Sequence, residues 1–373
     1  MLFVDGRIAA VGGRLDAPHD AARLHFGGAT ILPGLIDCHV HLSDEGLADA
    51  TVRDAESPAL RVLRMADHAK RTLRAGFTTV RDVGGRDHLE FALRRAVSDG
   101  LVSAPRLLLA GKIVAITTAG ASAWRGMYRE ANGRWDVVRA VREQIAAGAD
   151  VIKLMATGAV LSPAHERPDA AQFADDELRA IVETAHALGR RVAAHAHGIA
   201  GIRRAVEARV DTIEHGTHLH EDVAVARTMA SRGVFLVPTL KALALIATPP
   251  SDGIPPHVGA KARERLADRD ASFRLARREG VPIAFGTDAA TPFNRHGENA
   301  GELLLMRELG MTPLAAIGAA TGAAARAIGR DDIGTLAPGM QADLAVWEGD
   351  PISDLSALAR PPLAVFLGGE RVV

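Results

Sequence analysis

The feature that most constrains the fold is a repeated alternation between short apolar runs and longer amphipathic runs. Between "GLIDCHVH" and "VPIAFGTDA" the chain contains eight apolar runs of strand type, and a run with helical spacing follows nearly every one. Strands that alternate with helices pair in parallel, because each helix returns the chain to the edge where the strand began. Eight such units within about 300 residues predict an α/β fold of the (β/α)8 barrel type, a TIM barrel.

An open, doubly wound sheet is the main alternative to a barrel. That fold usually carries a glycine-rich phosphate-binding turn after its first strand. Here the first strand ends in "CHVH" instead. The sequence therefore favours the barrel.

Both ends of the chain predict a small β-domain. The start, "MLFVDGRIAAVGG", predicts two strands around a tight turn at Asp5 and Gly6. The C-terminal part contains "LAVFLGGERVV" and other short strand-like runs separated by Gly and Pro turns. We predict a discontinuous β-sandwich of residues 1–31 and 335–373 beside a barrel of residues 32–334.

Composition and charge argue against several classes of protein. The chain of 373 residues has 44 basic and 45 acidic side chains, so neither a nucleic-acid-binding surface nor an acidic tail is expected. Its one cysteine, Cys38, cannot form an intramolecular disulfide. No apolar run reaches the length of a membrane span, and the start does not resemble a signal peptide. We expect a cytoplasmic protein without nucleic-acid or membrane partners.

Polar side chains stand where the predicted strands end. In a barrel these ends meet at one mouth, where catalytic residues gather. Residues two apart on a strand face the same side, so both histidines of "HVH" can point inward. The set comprises His39 and His41 on strand one, Lys153 on strand four, His195 and His197 on strand five, Glu214 and His215 on strand six, and Asp288 after strand eight.

These residue types predict a metal centre. Imidazole nitrogens with a carboxylate suit zinc or a similar metal. Taken alone, Lys153 could be a strand-end lysine that reaches water, and Asp288 a turn residue. Together the donors exceed what one four-coordinate ion needs. A buried lysine amine can lose its proton and take up CO₂ as a carbamate, an anionic bridge between two ions roughly 3.5–4 Å apart. We therefore predict two divalent ions per chain and expect both to be zinc.

The motifs resemble the metal-dependent amidohydrolase superfamily over nearly the whole chain. They are "PGLIDCHVHL", "VIKLMATG", "VAAHAHG", "DTIEHGT", "FGTDA" and "IGTLAPGMQADLAVWEGDP". Within it, "MATGAVLSP" and "RHGENAGELLLMRELGMTPLAAIGAAT" resemble the imidazolonepropionase-like and Xaa-Pro dipeptidase (prolidase)-like subgroup, which includes ochratoxin-type amide hydrolases. The resemblance implies a binuclear barrel flanked by a β-sandwich, and we also expect a homo-oligomer. It implies a further strand before "VDGRI", so a truncated start is one interpretation.

The resemblance also implies a role for each donor. His39 and His41 would bind the more buried ion, His195 and His215 the more exposed ion, and the carbamate of Lys153 would bridge both. Asp288 would bind the buried ion and act as general base and then general acid. His197 is the alternative to His195, but the resemblance places the ligand first in "HAHG", which leaves His197 for the substrate.

Residues at the mouth-side end of strand five and in the predicted mouth-side loops supply candidate substrate contacts. These are His197, His218, Tyr128, Arg125 and Arg295. Either arginine could pair with a substrate carboxylate.

The predicted function is hydrolysis of an amide or peptide bond in a small substrate, a dipeptide or an N-acyl amino acid. A cyclic-amide or lactone hydrolase on the same site is the first alternative. A non-catalytic barrel scaffold is a remote one, because all six expected ligands are present.

Overall fold

The observed order of strands and helices follows the predicted alternation. The structure is a computed structural model that describes residues 1–13, 15–249 and 252–373, apart from the side chains of residues 50, 51, 122 and 123. The strands are β1 Leu2–Val4, β2 Arg7–Ala10, β3 Ala29–Pro33, β4 Leu35–Val40, β5 Phe77–Asp82, β6 Arg106–Leu109, β7 Ile113–Ala115, β8 Tyr128–Glu130, β9 Val151–Met155, β10 Arg191–Ala196, β11 Thr212–His215, β12 Phe235–Val237, β13 Leu344–Glu348, β14 Ala364–Leu367 and β15 Glu370–Arg371.

The α-helices are α1 Pro58–Arg74, α2 Leu89–Ser98, α3 Ala119–Ala123, α4 Arg134–Ala147, α5 Asp175–Ala187, α6 Ile199–Glu207, α7 Val223–Arg232, α8 Leu240–Ala247, α9 Pro256–Arg278, α10 Gly301–Glu308, α11 Pro313–Ala319 and α12 Gly322–Ala327. Short 3₁₀ turns cover Ala50–Arg53, Leu219–Glu221 and Leu355–Ala359. In the described part of the chain, no helix is both long enough and apolar enough to cross a membrane.

Two parallel arcs form the barrel. One arc has the order β4-β5-β6, and the other contains β9, β10, β11 and β12 in parallel register. The amide of Asp150 donates to the carbonyl of Leu109 at 2.8 Å and joins the two arcs on one side. The α/β barrel that the sequence predicts is thus confirmed, and the carboxyl ends of its strands share one mouth.

The predicted eighth strand forms isolated bridges instead of a continuous ladder, yet its hydrogen bonds on both sides close the barrel. Leu236 donates to the carbonyl of Pro282 at 2.9 Å on one side. On the other side Cys38 donates to Phe285 at 3.0 Å, and Asp288 donates to His39 at 2.8 Å. These bonds bring the chain after strand eight directly beside the histidines of β4.

The third predicted strand is divided in the structure. The run "RLLLAGKIVAIT" forms β6 and β7, with Gly111 between them at a positive φ of 73°. Only β6 pairs with β5, whereas β7 pairs with β8 and β9. At Gly111 the chain therefore leaves the β5 ladder and joins the ladder of β9.

The flanking β-domain uses both ends of the chain, as predicted. β3, β13, β14 and β15 form an antiparallel sheet, and β1 pairs with β2 around the turn at Asp5 and Gly6. Both turn residues have positive φ, 48° and 75°, which fits a tight hairpin turn. β3 continues to Pro33 and so passes the predicted domain limit at residue 31.

Cys38 packs outside the barrel and not toward the mouth. Its side chain is fully buried, and Sγ lies 3.7 Å from the carbonyl oxygen of Ala324 in α12. Burial raises the pKa of the Cys38 thiol. The structure agrees with the sequence-based interpretation of this cysteine as a packing residue, since its parity is opposite to that of His39.

Gly76 lets the barrel pack against the β-domain. It follows α1 with φ 89°, and an added Cβ would lie 2.5 Å from Cζ2 of the buried Trp347 on β13. We expect Gly76→Ala to destabilise the protein more than Gly100→Ala. Gly100 has a similar φ of 73° but open space around it. Alanine at either position would therefore cost roughly 1–2 kcal/mol for the left-handed backbone conformation. Only Gly76→Ala would also place a methyl group against Trp347.

The difference between these two variants isolates the packing term. Overpacking a core typically costs about 1–3 kcal/mol, so Gly76→Ala is expected to lose that much more stability than Gly100→Ala. Thermal and urea unfolding of the two variants measure the difference. Equal losses would show that Trp347 can move aside at little cost.

Candidate metal centre

The ends of four strands bring two groups of three potential ligands to the barrel mouth. Within each group the nitrogen or oxygen atoms that could bind an ion all lie within 4.8 Å of one another. One group consists of His39, His41 and Asp288, and the other of His195, His197 and His215.

In the first group, hydrogen bonds select the ring nitrogen that faces Asp288. Nδ1 of His41 lies 3.0 Å from the carbonyl oxygen of Gly84, which only accepts, so Nδ1 carries the proton. Nδ1 of His39 lies 2.7 Å from the carboxylate of Glu214. Both Nε2 atoms therefore present lone pairs, each 3.4 Å from Oδ1 of Asp288. Three acceptors that face one point are an arrangement suited to a metal ion.

Glu214 supports His39 from behind the site. It is fully buried, and Nη2 of Arg81 donates to its carboxylate at 2.8 Å. Burial opposes its ionisation, but the Arg81 guanidinium and His39 outweigh burial and hold the pKa of Glu214 below its usual range. The ionised Glu214 thus fixes both the orientation and the tautomer of His39, as carboxylates behind metal-binding histidines commonly do.

The second group is a cluster of three histidines, of which His195 and His197 are buried and His215 is partly buried. Nε2 of His195 donates to the carbonyl oxygen of Gly158 at 2.9 Å, which leaves its Nδ1 as a lone-pair donor. Nδ1 of His215 is 2.6 Å from the hydroxyl of Thr239. Burial lowers the pKa of His197 to about 3 and holds the pKa of His195 and His215 well below the usual value. All three are neutral at pH 7, the form in which histidine binds a metal.

Lys153 lies on β9 with its amine buried and without a hydrogen-bond partner among the described residues. Its residue exposure is 2%, which is unusual for lysine. Burial lowers the pKa of Lys153 to about 8, against the opposing charges of Glu214 and Asp288. Roughly a tenth of the amine is therefore neutral at pH 7, and about half at pH 8. An unpartnered buried amine of this kind is costly unless another group occupies the space beside it.

Asp288 adopts a left-handed backbone conformation, with φ 57°. Nδ2 of Asn294 donates to its carbonyl oxygen at 3.0 Å and helps to hold this conformation. Burial opposes ionisation of the side chain, but His39, His41 and His215 outweigh it and hold the pKa of Asp288 well below its usual range. The carboxylate is thus ionised at neutral pH.

Comparison with known proteins places this barrel in a family. The family model described as "Amidohydrolase family" matches residues 30–372, most of the chain. The chain belongs to the amidohydrolase family. The predicted resemblance is confirmed, and members of this family generally use divalent metal ions.

Individual relatives of this amidohydrolase are hydrolases. Ochratoxinase from Aspergillus niger is 32% identical, with 99% of this chain and 82% of the relative covered. A solved Xaa-Pro dipeptidase with methionine bound in its active site is 34% identical, with a TM-score of 0.89 and coverage of 98% and 93%. Imidazolonepropionase from Mycolicibacterium smegmatis is 28% identical, with coverage of 99% and 89%. The chain is therefore an enzyme, and the non-catalytic scaffold has no support.

The five predicted substrate contacts of this amidohydrolase separate into two sets. His197 and Tyr128 line the cavity at the barrel mouth. Arg125 and Arg295 are exposed and are not among the residues that line it. His218 also lies outside the lining, where Nδ1 is 2.9 Å from Glu221 and Nε2 is 3.2 Å from Asp169. The contacts with these two acids explain the position of the His218 side chain without a contact to a substrate.

The cavity of the amidohydrolase is lined by residues that the sequence did not indicate. They include Trp124, Met155, Leu243 and Arg269. Met155 could have been identified, because it stands two residues after Lys153 and shares its strand face. Leu243 and Arg269 lie on helices α8 and α9, where no motif marks them.

Proposed function

We propose that this amidohydrolase is a binuclear metal-dependent hydrolase that cleaves the amide or peptide bond of a small substrate, a dipeptide or an N-acyl amino acid. The observation that carries the proposal is the buried amine of Lys153, unpartnered among the described residues, in a mouth that also holds two groups of three potential ligands. The Xaa-Pro dipeptidase and the ochratoxinase among the relatives support an amide substrate.

The donor set fits two divalent ions. His39, His41 and Asp288 would hold one ion, because their lone pairs converge without an intervening donor. His215 and one of the strand-five histidines would hold the other. We assign that ligand to His195, whose Nε2 is occupied by Gly158, and we leave His197 to the substrate. Neutral imidazoles and a carboxylate are typical zinc ligands.

Lys153 would complete the centre as a carbamate. Its neutral Nζ attacks the carbon of CO₂, a C–N bond forms, and one N–H proton is released. The product is an anion that has two oxygens and can bridge two ions. The lowered pKa of Lys153 favours this reaction, because only the neutral amine is nucleophilic.

The ions would supply a water of lowered pKa and polarise the substrate carbonyl. The side chain of Asp288 would accept the proton that this water loses when its oxygen bonds to the carbonyl carbon. The C–N bond then breaks, and Asp288 returns the proton to the leaving nitrogen. Its ionised state at neutral pH suits the first step, and Asn294 holds its backbone in position for both.

The metal content tests the proposal directly. We expect two divalent ions per chain in protein purified with metal and bicarbonate, measured by elemental analysis. His195→Asn is expected to lose one ion, whereas His197→Asn retains both and loses activity. A maximum of one ion per chain in the parent protein would contradict the binuclear centre. Equal metal loss in the two variants would contradict the choice of His195.

A hydrolysis screen tests the reaction itself. The metal-loaded enzyme is expected to release free amino acids from dipeptides or from N-acyl amino acids. Cyclic amides and lactones serve as the alternative panel. Cleavage confined to that alternative panel would overturn the proposed substrate class while leaving the metal centre intact.

A further inference from the structure

The cavity above the metal centre is bordered by two apolar clusters. One comes from the chain after β6 and from the end of β9 and includes Met127, Met155 and the partly buried Trp124. The other includes Val160, Leu243 and Ile246. Residues from both clusters line the cavity, so a substrate that reaches the ligands has apolar side chains on its walls.

Helix α8 connects one of these clusters to the metal centre. Thr239, directly before the helix, contacts Nδ1 of His215 at 2.6 Å. The carboxylate of the buried Glu302 accepts from the amides of Leu240 and Lys241 at 2.8 and 2.7 Å and fixes the start of the helix. Leu243 follows in the first turn of α8 and lines the same cavity as Thr239. The apolar face of α8 is thus held at a fixed position relative to His215.

Strand β9 connects the other cluster to the metal centre. Met155 and Lys153 are two residues apart and face the same side of the strand. Met155 is 5% exposed and lines the cavity. An unbranched thioether adapts to branched or flat groups, which suits a wall that contacts a side chain of the substrate.

The charges of the cavity lining limit what else could bind. Apart from the proposed ligands, the described lining residues include one carboxylate, that of Asp44, and one guanidinium, that of Arg269. Asp44 is paired with Arg86 at 3.1 Å. Arg269 pairs with Asp270 at 2.6 Å and donates to the carbonyl of Leu240, which leaves part of its five N–H groups for one substrate carboxylate. With Arg269 bound to that carboxylate, a charged side chain on the substrate would find no unpaired partner of opposite charge among the described lining residues.

We propose that the substrate carries a bulky, uncharged apolar group beside the scissile bond, and that Leu243 and Met155 select it. The inference rests on the proposed function, because it names the side chain of the same dipeptide or N-acyl amino acid. One methylene group more or less on a substrate bound in a hydrophobic pocket typically changes discrimination about 10- to 200-fold. The walls should therefore separate leucine from alanine by at least about tenfold in kcat/KM.

Symmetrical dipeptides test this without knowledge of the binding orientation, because both sides of the scissile bond carry the same side chain. The panel is Leu-Leu, Phe-Phe, Ala-Ala, Lys-Lys and Asp-Asp, with the N-acetyl derivative of each amino acid. We expect the leucine and phenylalanine substrates to exceed the alanine substrate by at least about tenfold in kcat/KM, and the charged substrates to fall below it.

Variants assign the preference to the cavity wall. Leu243→Ala is expected to reduce the leucine-to-alanine ratio at least about fivefold, and Met155→Ala to reduce it in the same direction. The matched control is Leu266→Ala. Leu266 packs against the same cluster as Leu243 but does not line the cavity, so the ratio is expected to stay unchanged.

The possible failures are distinguishable. If the enzyme cleaves the panel but prefers alanine or a charged side chain, or if Leu266→Ala changes the ratio as much as Leu243→Ala, the inference is overturned and the proposed function stands. If the metal-loaded enzyme cleaves no member of the panel, the proposed function is overturned and the inference falls with it.

Discussion

Asp288→Asn is expected to lower kcat by at least about 10²- to 10⁴-fold with the fold intact, the range that general acid–base assistance usually supplies. Asparagine has the size of aspartate but cannot accept the proton that water loses on attack. The site keeps Asp288 ionised, since His39 and His41 hold its pKa well below the usual range, so the wild-type group is ready to accept at neutral pH. Steady-state kinetics with metal analysis of the same sample measure the effect.

Asp44→Asn is the matched control for this substitution. Asp44 also lines the cavity, but it pairs with Arg86 and belongs to neither ligand group. We expect a loss of kcat far smaller than that of Asp288→Asn. An Asp288→Asn enzyme with both ions bound and kcat within threefold of the parent would place the proton transfer on another residue. His197, which lines the cavity, would be the first to test.

Lys153→Ala is expected to lose one or both ions and nearly all activity. The amine of Lys153 has no partner among the described residues, and its proposed task is to hold a bridging carboxylate. A small external carboxylate, such as formate or acetate, should therefore restore part of the metal content and part of the rate. Elemental analysis and hydrolysis assays with increasing carboxylate concentration measure both effects.

Lys241→Ala separates this role from general effects of removing a largely buried lysine side chain. Burial also lowers the pKa of Lys241, whose amine donates to the carbonyl of Glu298 outside the cavity lining. Lys241→Ala is expected to keep both ions and to show no response to added carboxylate. Wild-type metal content and rate in Lys153→Ala would remove the carbamate from the proposal.

The network behind the ligands shows where sequence-based prediction reaches its limit. Asp37 is fully buried, and it accepts from Thr287 and from Asn299 at 2.6 and 2.7 Å. These contacts tie β4 to the chain after strand eight and so position His39 and Asp288 together. The sequence indicates an acid in "LIDCHVH", but nothing local relates it to residues about 250 positions away.

The arginine that could pair with a substrate carboxylate also shows where prediction from the sequence stops. The sequence offered Arg125 and Arg295 as partners for a substrate carboxylate, because both stand in predicted mouth-side loops. The structure exposes both and instead places Arg269 of α9 in the cavity lining. The position of a loop in the chain order does not determine which way its side chains point.

The sequence by itself determined the barrel, the two-ended β-domain and the residue types at the mouth. These follow from local periodicity: a period of two orients His39 and His41 alike, and strand–helix alternation sends every strand end to one face. Only the tertiary structure decided which ring nitrogen each histidine presents, that Glu214 supports His39, and that α8 forms a cavity wall. The physical reason is that hydrogen bonds and packing between distant segments set these features, and no repeating pattern in the chain encodes such contacts.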